Sequence, residues 1–238
     1  RFDKSLIKPM LSASLPVGFA STMGAVMINV DTVLLGWLTD ATQVGLFAAA
    51  QKPVLLLYMI SSFIAWGTFP SLARFAEKDH VRFRILIEKT LAAAFLFALP
   101  ITAGLILTGK EVIELLYGAE YLPAVSAFTI LTLTLMVVLP WGLLFNGLFA
   151  YNRQGFLTRI GIIGVGANAL LDLLLIPIWG IAGCALATLF VQAFIGVSVW
   201  FKMKQLNNFS VLRSLKKISL ATLAMSLVVL VLISIKIP

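Results

Sequence analysis

Between Ile160 and Phe201 the chain runs through an unbroken apolar stretch that contains one carboxylate and no basic residue. An α-helix needs about 20 residues to cross the hydrocarbon core of a bilayer, and this stretch is roughly twice that. It therefore holds two spans, and the one strong break is Pro177-Ile-Trp-Gly180. Proline stops the first helix, glycine permits the turn, and Trp179 stands where an interfacial anchor belongs. The stretch predicts a helical hairpin inside a membrane. Asp172 falls about a turn and a half before the break, and the small residues Gly180, Gly183, Ala185 and Ala187 follow it.

The composition agrees. Hydrophobic residues make up 61% of the chain and charged residues 12%, with a mean hydropathy of +1.04. A soluble domain carries about 25% charged residues. Long apolar runs in lipid mean helices, because each backbone polar group must be satisfied internally. The short alternating segments of a membrane barrel are absent from the sequence. The fold class read here is an all-α polytopic membrane protein.

Seven apolar segments follow, at about 10–38, 45–72, 90–108, 123–150, 157–176, 180–201 and 218–235. The charges between them alternate. Arg1, Lys4 and Lys8 precede the first segment; Arg74, Lys78, Arg82, Arg84 and Lys89 follow the second; Arg153 and Arg159 follow the fourth; Lys202, Lys204, Arg213, Lys216 and Lys217 follow the sixth. Fifteen of the 18 basic residues thus lie on one side. The positive-inside rule makes that side cytoplasmic and puts the N-terminus of this chain there. It also accounts for the net charge of +8, so nucleic acid is not read as a partner. The connections on the other side are short; 109–118 reads as an amphipathic surface helix, and 74–89 as a helical connector on the basic side.

Three ionisable residues fall inside spans: Asp31, Lys52 and Asp172. Such residues are costly in lipid and mark function by default. All three lie one to two turns from the outer ends of their helices. Asp31 and Lys52 sit on consecutive antiparallel spans and could pair, or Lys52 could snorkel to the interface. Asp172 shares a helical face with Gly161, Gly164 and Asn168, which a lipid-facing surface would waste. The next span carries Ala185, Thr188, Gln192 and Gly196 on one face. The first carries Ser14, Gly18, Ser21, Ala25, Asn29 and Thr32, with Asp31 about a quarter turn off that stripe and therefore placed for packing against a neighbour. Pro100 and Pro140 bend two further spans. Polar stripes, bent helices and buried acids together point to a solute path.

Catalytic and metal motifs are missing. His80 is the sole histidine and has no metal-ligand partner by spacing, and no HExxH, GxSxG or Walker loop occurs. The reading is no enzyme, no cofactor and no resident metal, with any driving force taken from a gradient or a partner.

The segments carry a resemblance. Ser14-Leu-Pro-Val-Gly18 through Asn29-Val-Asp-Thr-Val-Leu-Leu-Gly36, then Val44-Gly-Leu-Phe-Ala-Ala-Ala-Gln-Lys52, Phe69-Pro-Ser-Leu-Ala-Arg74, Glu114-Leu-Leu-Tyr-Gly-Ala-Glu-Tyr121 and Ile176-Pro-Ile-Trp-Gly-Ile-Ala-Gly-Cys-Ala-Leu-Ala-Thr188 stand in the order and spacing of a polysaccharide-biosynthesis flippase. Cys184 occupies a position where alanine is usual. The chain resembles the oligosaccharide flippases of the multidrug/oligosaccharidyl-lipid/polysaccharide exporter superfamily over nearly its whole length.

That resemblance implies two six-helix lobes around a cavity, of which this chain matches the C-terminal lobe plus one span. With no Met at its start, the chain reads as a fragment lacking the N-terminal lobe. The implied activity is turning undecaprenyl-pyrophosphate-linked oligosaccharide across a bacterial inner membrane by alternating access, for lipopolysaccharide or capsule synthesis. Asp172 and then Asp31 are coupling candidates, with Asn168, Asn29 and Gln192 beside them. Lys52, Arg153 and Arg159 are candidates to meet pyrophosphate. Implied partners are the lipid-linked oligosaccharide, membrane lipids, the missing lobe or a second copy, and glycosyltransferases or polymerases. A drug/cation antiporter, a lipid II flippase and a non-transporting scaffold are the alternatives.

Overall fold

The computed structural model describes Ser14, Leu15, Gly18 and residues 29–234. Every described element is helical. In chain order these are α1 (29–38), α2 (Ala41–Lys78), α3 (His80–Leu107), α4 (Gly109–Tyr117), a 3-10 turn (Ala119–Ala124), α5 (Val125–Leu133), α6 (Leu135–Ala150), α7 (Gln154–Leu206) and α8 (Leu212–Ser234). Five of the described helical stretches are long and apolar enough to cross a membrane. The protein is an all-α polytopic membrane protein. Ser21, Ala25 and most of the expected first span lie outside the described residues, as do Arg1, Lys4 and Lys8.

Local chemistry sets the helix limits. Asp40 caps α2 by accepting from Gln43 N at 2.9 Å. Asp79 ends α2 and starts α3: its N–H donates to Phe75 O, while its carboxylate accepts from Val81 N and Arg82 N. The expected connector over 74–89 is therefore the ends of two long helices joined at one capping residue. Gly118, at φ 92, stops the short amphipathic α4. Helices α5 and α6 part at Thr134, whose N–H bonds back to Leu131 O, ahead of Pro140 in α6.

α7 holds 53 residues, roughly 80 Å if straight, far beyond a bilayer core of about 30 Å. It folds back on itself at Gly180, where φ is 55 and ψ is −131. We call the arms α7a, before Gly180, and α7b, after it. Positive φ is the province of glycine. The arms then close tightly: a Cβ on Gly183 would stand 2.2 Å from Leu175 O. Only a residue without a side chain allows that approach, so the Pro177 to Gly183 segment is a hairpin by local necessity.

The connections group into two ends. Asn207 donates to His80 O and to the Tyr151 hydroxyl, so the α2–α3, α6–α7 and α7–α8 junctions meet at one end. A Cβ at Gly180 would lie 3.5 Å from Gln43 Oε1, which puts the hairpin turn beside the start of α2 at the other end. The basic connections thus share one end, as the charge alternation requires. We call it the basic end.

Two apolar clusters stack along the bundle. One, toward the hairpin turn, centres on Leu35, Phe47, Phe128, Leu131, Ile176 and Cys184. The other, toward the basic end, centres on Leu72, Phe83, Ile87, Leu148, Val199 and Met203. In lipid these contacts act through close packing rather than water expulsion, which is why small residues mark the crossings. α8 stands apart, touching mainly α3, with only 6% of its span window buried against 28–44% for the other four.

Candidate functional site

The polar residues of three helical segments converge at the hairpin. On α7a the face Ile160, Gly164, Asn168, Asp172 and Ile176 is buried, in the register a 3.6-residue period gives. Gly164 lets it lie against Ile195 and Val191 of α7b. Asp172 and Asn168 are both 0% exposed, and Asp31 is 1% exposed. The stripe read from sequence therefore faces neighbouring helices, not an open cavity. Asp31, expected to serve packing from a position off its stripe, points into this same group.

The ligand atoms of Asp31, Asp172 and Cys184 all lie within 4.8 Å of one another. Thr188 Oγ1 donates to Asp31 Oδ2 at 2.6 Å. Asn168 Nδ2 donates to Asp172 Oδ2 at 3.2 Å. The Cys184 thiol faces the Asp31 main-chain carbonyl at 3.9 Å. Each carboxylate thus receives one donor on one oxygen. Asp31 Oδ1, Asp172 Oδ1 and Asn168 Oδ1 are buried with no hydrogen-bond partner among the described residues. Three buried oxygens on Asp31, Asp172 and Asn168, beside the Cys184 thiol, make an acceptor-rich pocket. Buried acceptors are ordinarily paired, and two carboxylates this close repel unless a positive charge lies between them. A proton or a hard cation supplies that charge; carboxylate, amide and hydroxyl oxygens suit the latter.

The sequence reading named no metal-ligating set, and spacing alone could not have done so. Asp31 lies 141 residues before Asp172, on a helix whose approach to the hairpin only the fold reveals. Thr188 entered the reading as part of a small-residue stripe and Cys184 as an apolar residue. The i, i+4 spacing of Cys184 and Thr188 was the available signal.

The remaining candidates stand apart from this group. Lys52 is exposed, and the only ion pair among the described residues is Arg82 with Asp79. The Asp31–Lys52 pairing entertained from sequence does not form, because Asp31 turns inward to Thr188 while Lys52 faces away. Gln192 lies one turn beyond Thr188 with its Oε1 buried and unpartnered. Asn29 is exposed on α1, two residues before Asp31. Arg153 and Arg159 are exposed at the start of α7, at the basic end.

A second polar group occupies the basic end. Asn207 Oδ1 accepts from Arg84 Nε at 3.3 Å, and its amide donates to His80 O and Tyr151 OH at 3.2 Å each. His80 Nδ1 meets the Tyr151 hydroxyl at 3.1 Å, and the two rings stack. Glu88 accepts from Ser210 N at 2.7 Å. Burial pushes the Tyr151 hydroxyl above the ordinary phenol range, against the opposing effects of Asn207 and Arg84.

The sequence model of the family described as polysaccharide biosynthesis protein matches residues 1–126, more than half of the 238-residue chain. The chain belongs to that family. The match includes Asp31 and Lys52 and stops before the hairpin. Among curated proteins, the probable flippase AglR of Haloferax volcanii is 29% identical over 163 residues, which are 67% of this chain and 34% of that protein. The probable low-salt glycan biosynthesis flippase Agl15 of the same organism is 23% identical over 159 residues, 66% of this chain and 34% of that protein. Among solved structures, the lipid II flippase MurJ in an inward closed conformation superposes with a TM-score of 0.79 at 20% identity, over 96% of this chain and 49% of that one. An outward-facing multidrug resistance transporter of the MATE family and MOP superfamily gives 0.70 at 18% identity, over 90% and 52%. The chain thus has the fold of half of such a transporter, and it spans about a third of the length of these curated relatives. These relatives and structural neighbours are named as flippases and transporters.

Proposed function

We propose that this chain is the C-terminal lobe of a membrane transporter that turns a lipid-linked oligosaccharide from one leaflet to the other, coupled to a cation or proton held by Asp31, Asn168, Asp172 and Thr188. The observation that carries the coupling is the acceptor-rich cluster: two buried acids from α1 and α7a, with three buried oxygens that no described residue hydrogen-bonds. The observation that supports the cargo is the family membership, together with relatives named as flippases.

The cluster gives a physical means of coupling. A positive charge among the acids binds α1 to the hairpin, whereas its loss leaves two buried carboxylates in repulsion. Ion binding then favours the packed arrangement of α1, and release favours a separated one, by the difference in affinity between the two. A second lobe, or a second copy, would complete the cavity, and the two would rock about it. Lys52, exposed on α2, and Arg153 and Arg159 at the basic end would meet the phosphates of the carrier lipid, while the polyprenyl tail remains in lipid. Asn29 and Gln192 would add polar contacts near α1 and α7b. The setting in this reading is a bacterial inner membrane with the basic end in the cytoplasm, beside the glycosyltransferases and polymerases that make and use the cargo.

The test is a leaflet-exchange assay on the full-length protein in proteoliposomes carrying a fluorescent polyprenyl-pyrophosphate oligosaccharide. Exchange that follows an imposed sodium gradient identifies a metal cation, and exchange that follows a pH gradient alone identifies a proton. Unchanged exchange in both Asp31→Asn and Asp172→Asn removes the cluster from the mechanism. Gradient-driven export of cationic dyes without lipid exchange replaces the flippase reading with a drug/cation antiporter.

A further inference from the structure

Along α7b, beyond Cys184 and Thr188 in the direction of the basic end, lies an apolar groove of about 310 Å³, bounded by α3, α6 and α7b. Its floor is made of small residues, Ala193 and Gly196. Its walls are aromatic: Phe95 of α3, Trp141 of α6, and Trp200 and Phe201 of α7b. The groove is built into the packing. Gly196 brings α7b so close to α6 that a Cβ there would meet Val137 Cγ1 at 2.5 Å. The tall side chains on either side of that crossing then stand over an open trough. Pro140, also in the lining, removes an N–H from the α6 ladder at the trough. Trp200 packs edge-on against Phe209 of the α7–α8 connection.

The position and charge of the groove select its occupant. It opens on a membrane-spanning face, so hydrocarbon is the chain available to fill it. Its lining runs from the middle of the bundle, at Phe95, Val137 and Ala193, toward the basic end, at Trp200 and Phe201. Along α7b the lining residues Ala193, Val197 and Trp200 are spaced four and three apart, and the next residue on that line is Lys204. Lys204 is exposed, one turn beyond the aromatic wall and three residues before Asn207 at the basic end. Lys202 stands two residues away, over the Phe156 ring. An apolar trough for a chain, ending on lysine, is complementary to an anionic phospholipid with one acyl chain laid between the helices.

We infer that the trough formed by Phe95, Trp141, Ala193, Gly196, Trp200 and Phe201 binds one anionic phospholipid of the leaflet on the basic side, its headgroup held by Lys204. This site is separate from the acid cluster and does not depend on the transport reading. The lipid fills a space that no described side chain occupies and ties α3, α6 and α7b together where α8 leaves them uncovered.

The experiment is native mass spectrometry of the full-length protein released from micelles that contain equal phosphatidylglycerol and phosphatidylcholine. The expected result is retention of one phosphatidylglycerol in preference to phosphatidylcholine by about fivefold, the effect of one lysine at a headgroup. Ala193→Trp fills the floor and is expected to abolish retention. Lys204→Glu changes an exposed residue, leaves the packing intact, and is expected to erase the preference while the protein still folds. Equal retention of the two lipids by the unaltered protein would overturn the inference, as would phosphatidylglycerol retention that survives both substitutions. Displacement of the phospholipid by equimolar polyprenyl phosphate would assign the trough to the carried lipid instead and overturn the commitment to phospholipid.

Discussion

Two polar groups sit at opposite ends of the same bundle, and they differ in how their atoms are spent. At the basic end, Asn207 uses its carbonyl and both directions of its amide on Arg84, His80 and Tyr151. At the hairpin end, Asn168 and the two acids each leave an oxygen without a donor. A completed network fixes geometry, since its members have nothing further to gain. An incomplete one, buried and doubly acidic, is stable only with something added. The difference separates a clasp that holds three helix junctions from a cluster that, in the function proposed above, binds a positive charge.

The largest expected effect breaks the incomplete group. Asp172→Asn removes one of the two charges and leaves the shape nearly unchanged. Ion affinity of the full-length protein is expected to fall by at least about 10- to 100-fold, the range that even supporting partners of ion sites contribute. Isothermal calorimetry with the coupling ion reads this, and an unaltered affinity would make the cluster a packing feature like the clasp. Next comes the hairpin that positions it. Gly183→Ala drives a Cβ to 2.2 Å from Leu175 O, a backbone atom that cannot step aside. The expected loss of stability is about 1–3 kcal/mol, seen as a lower thermal unfolding midpoint, with Cys184 becoming reactive to thiol reagents.

Thr188 sharpens the comparison from inside the site. Thr188→Val deletes the donor to Asp31 Oδ2 and a lone pair for the ion, whereas Thr188→Ser keeps both. Valine is expected to weaken ion binding by about tenfold, one hydrogen bond to a charged group, and serine to restore it. In the clasp, Asn207→Ala is expected to lower stability by about 1–3 kcal/mol and to leave the ion affinity unchanged. The raised proton affinity of Tyr151 gives the clasp a pH signature. Both folded and unfolded states keep the phenol proton below about pH 10. Above that the unfolded chain ionises first, so stability is lost as pH rises, and Tyr151→Phe flattens the loss. The smallest effect belongs to Lys52. It is exposed and pairs with neither acid, so Lys52→Gln should change stability by less than about 0.5 kcal/mol, read by the same thermal unfolding.

Much of the fold was legible because lipid leaves a chain few options. Span length, Pro177 with Gly180, and the alternating lysines and arginines are each local, and the helices, the turn at Gly180 and the shared basic end follow from them. The short helix Gly109–Tyr117 was legible from its amphipathic period. The 74–89 connector is helical, as its sequence suggests, but that it consists of the ends of two spans was not legible, because a single capping aspartate suffices to end one helix and start the next. The break at Thr134 left no strong signal, since Pro140 stands six residues away.

The candidate site divides in the same way. Asp172 and Asn168 could be placed on one inward face from the helical period alone, because a periodicity is a property of one helix. That Asp31 joins them, that Thr188 completes its hydrogen bonding, and that Lys52 stays outside are facts about which helices touch. Sequence determined that this chain spans a membrane, where its hairpin turns, and that acids are buried within it. The tertiary structure alone decided that two acids share one pocket while the asparagine at the far end is fully satisfied. Burial is written in composition and period, but the pairing of donors with acceptors depends on distances between segments that the chain holds far apart.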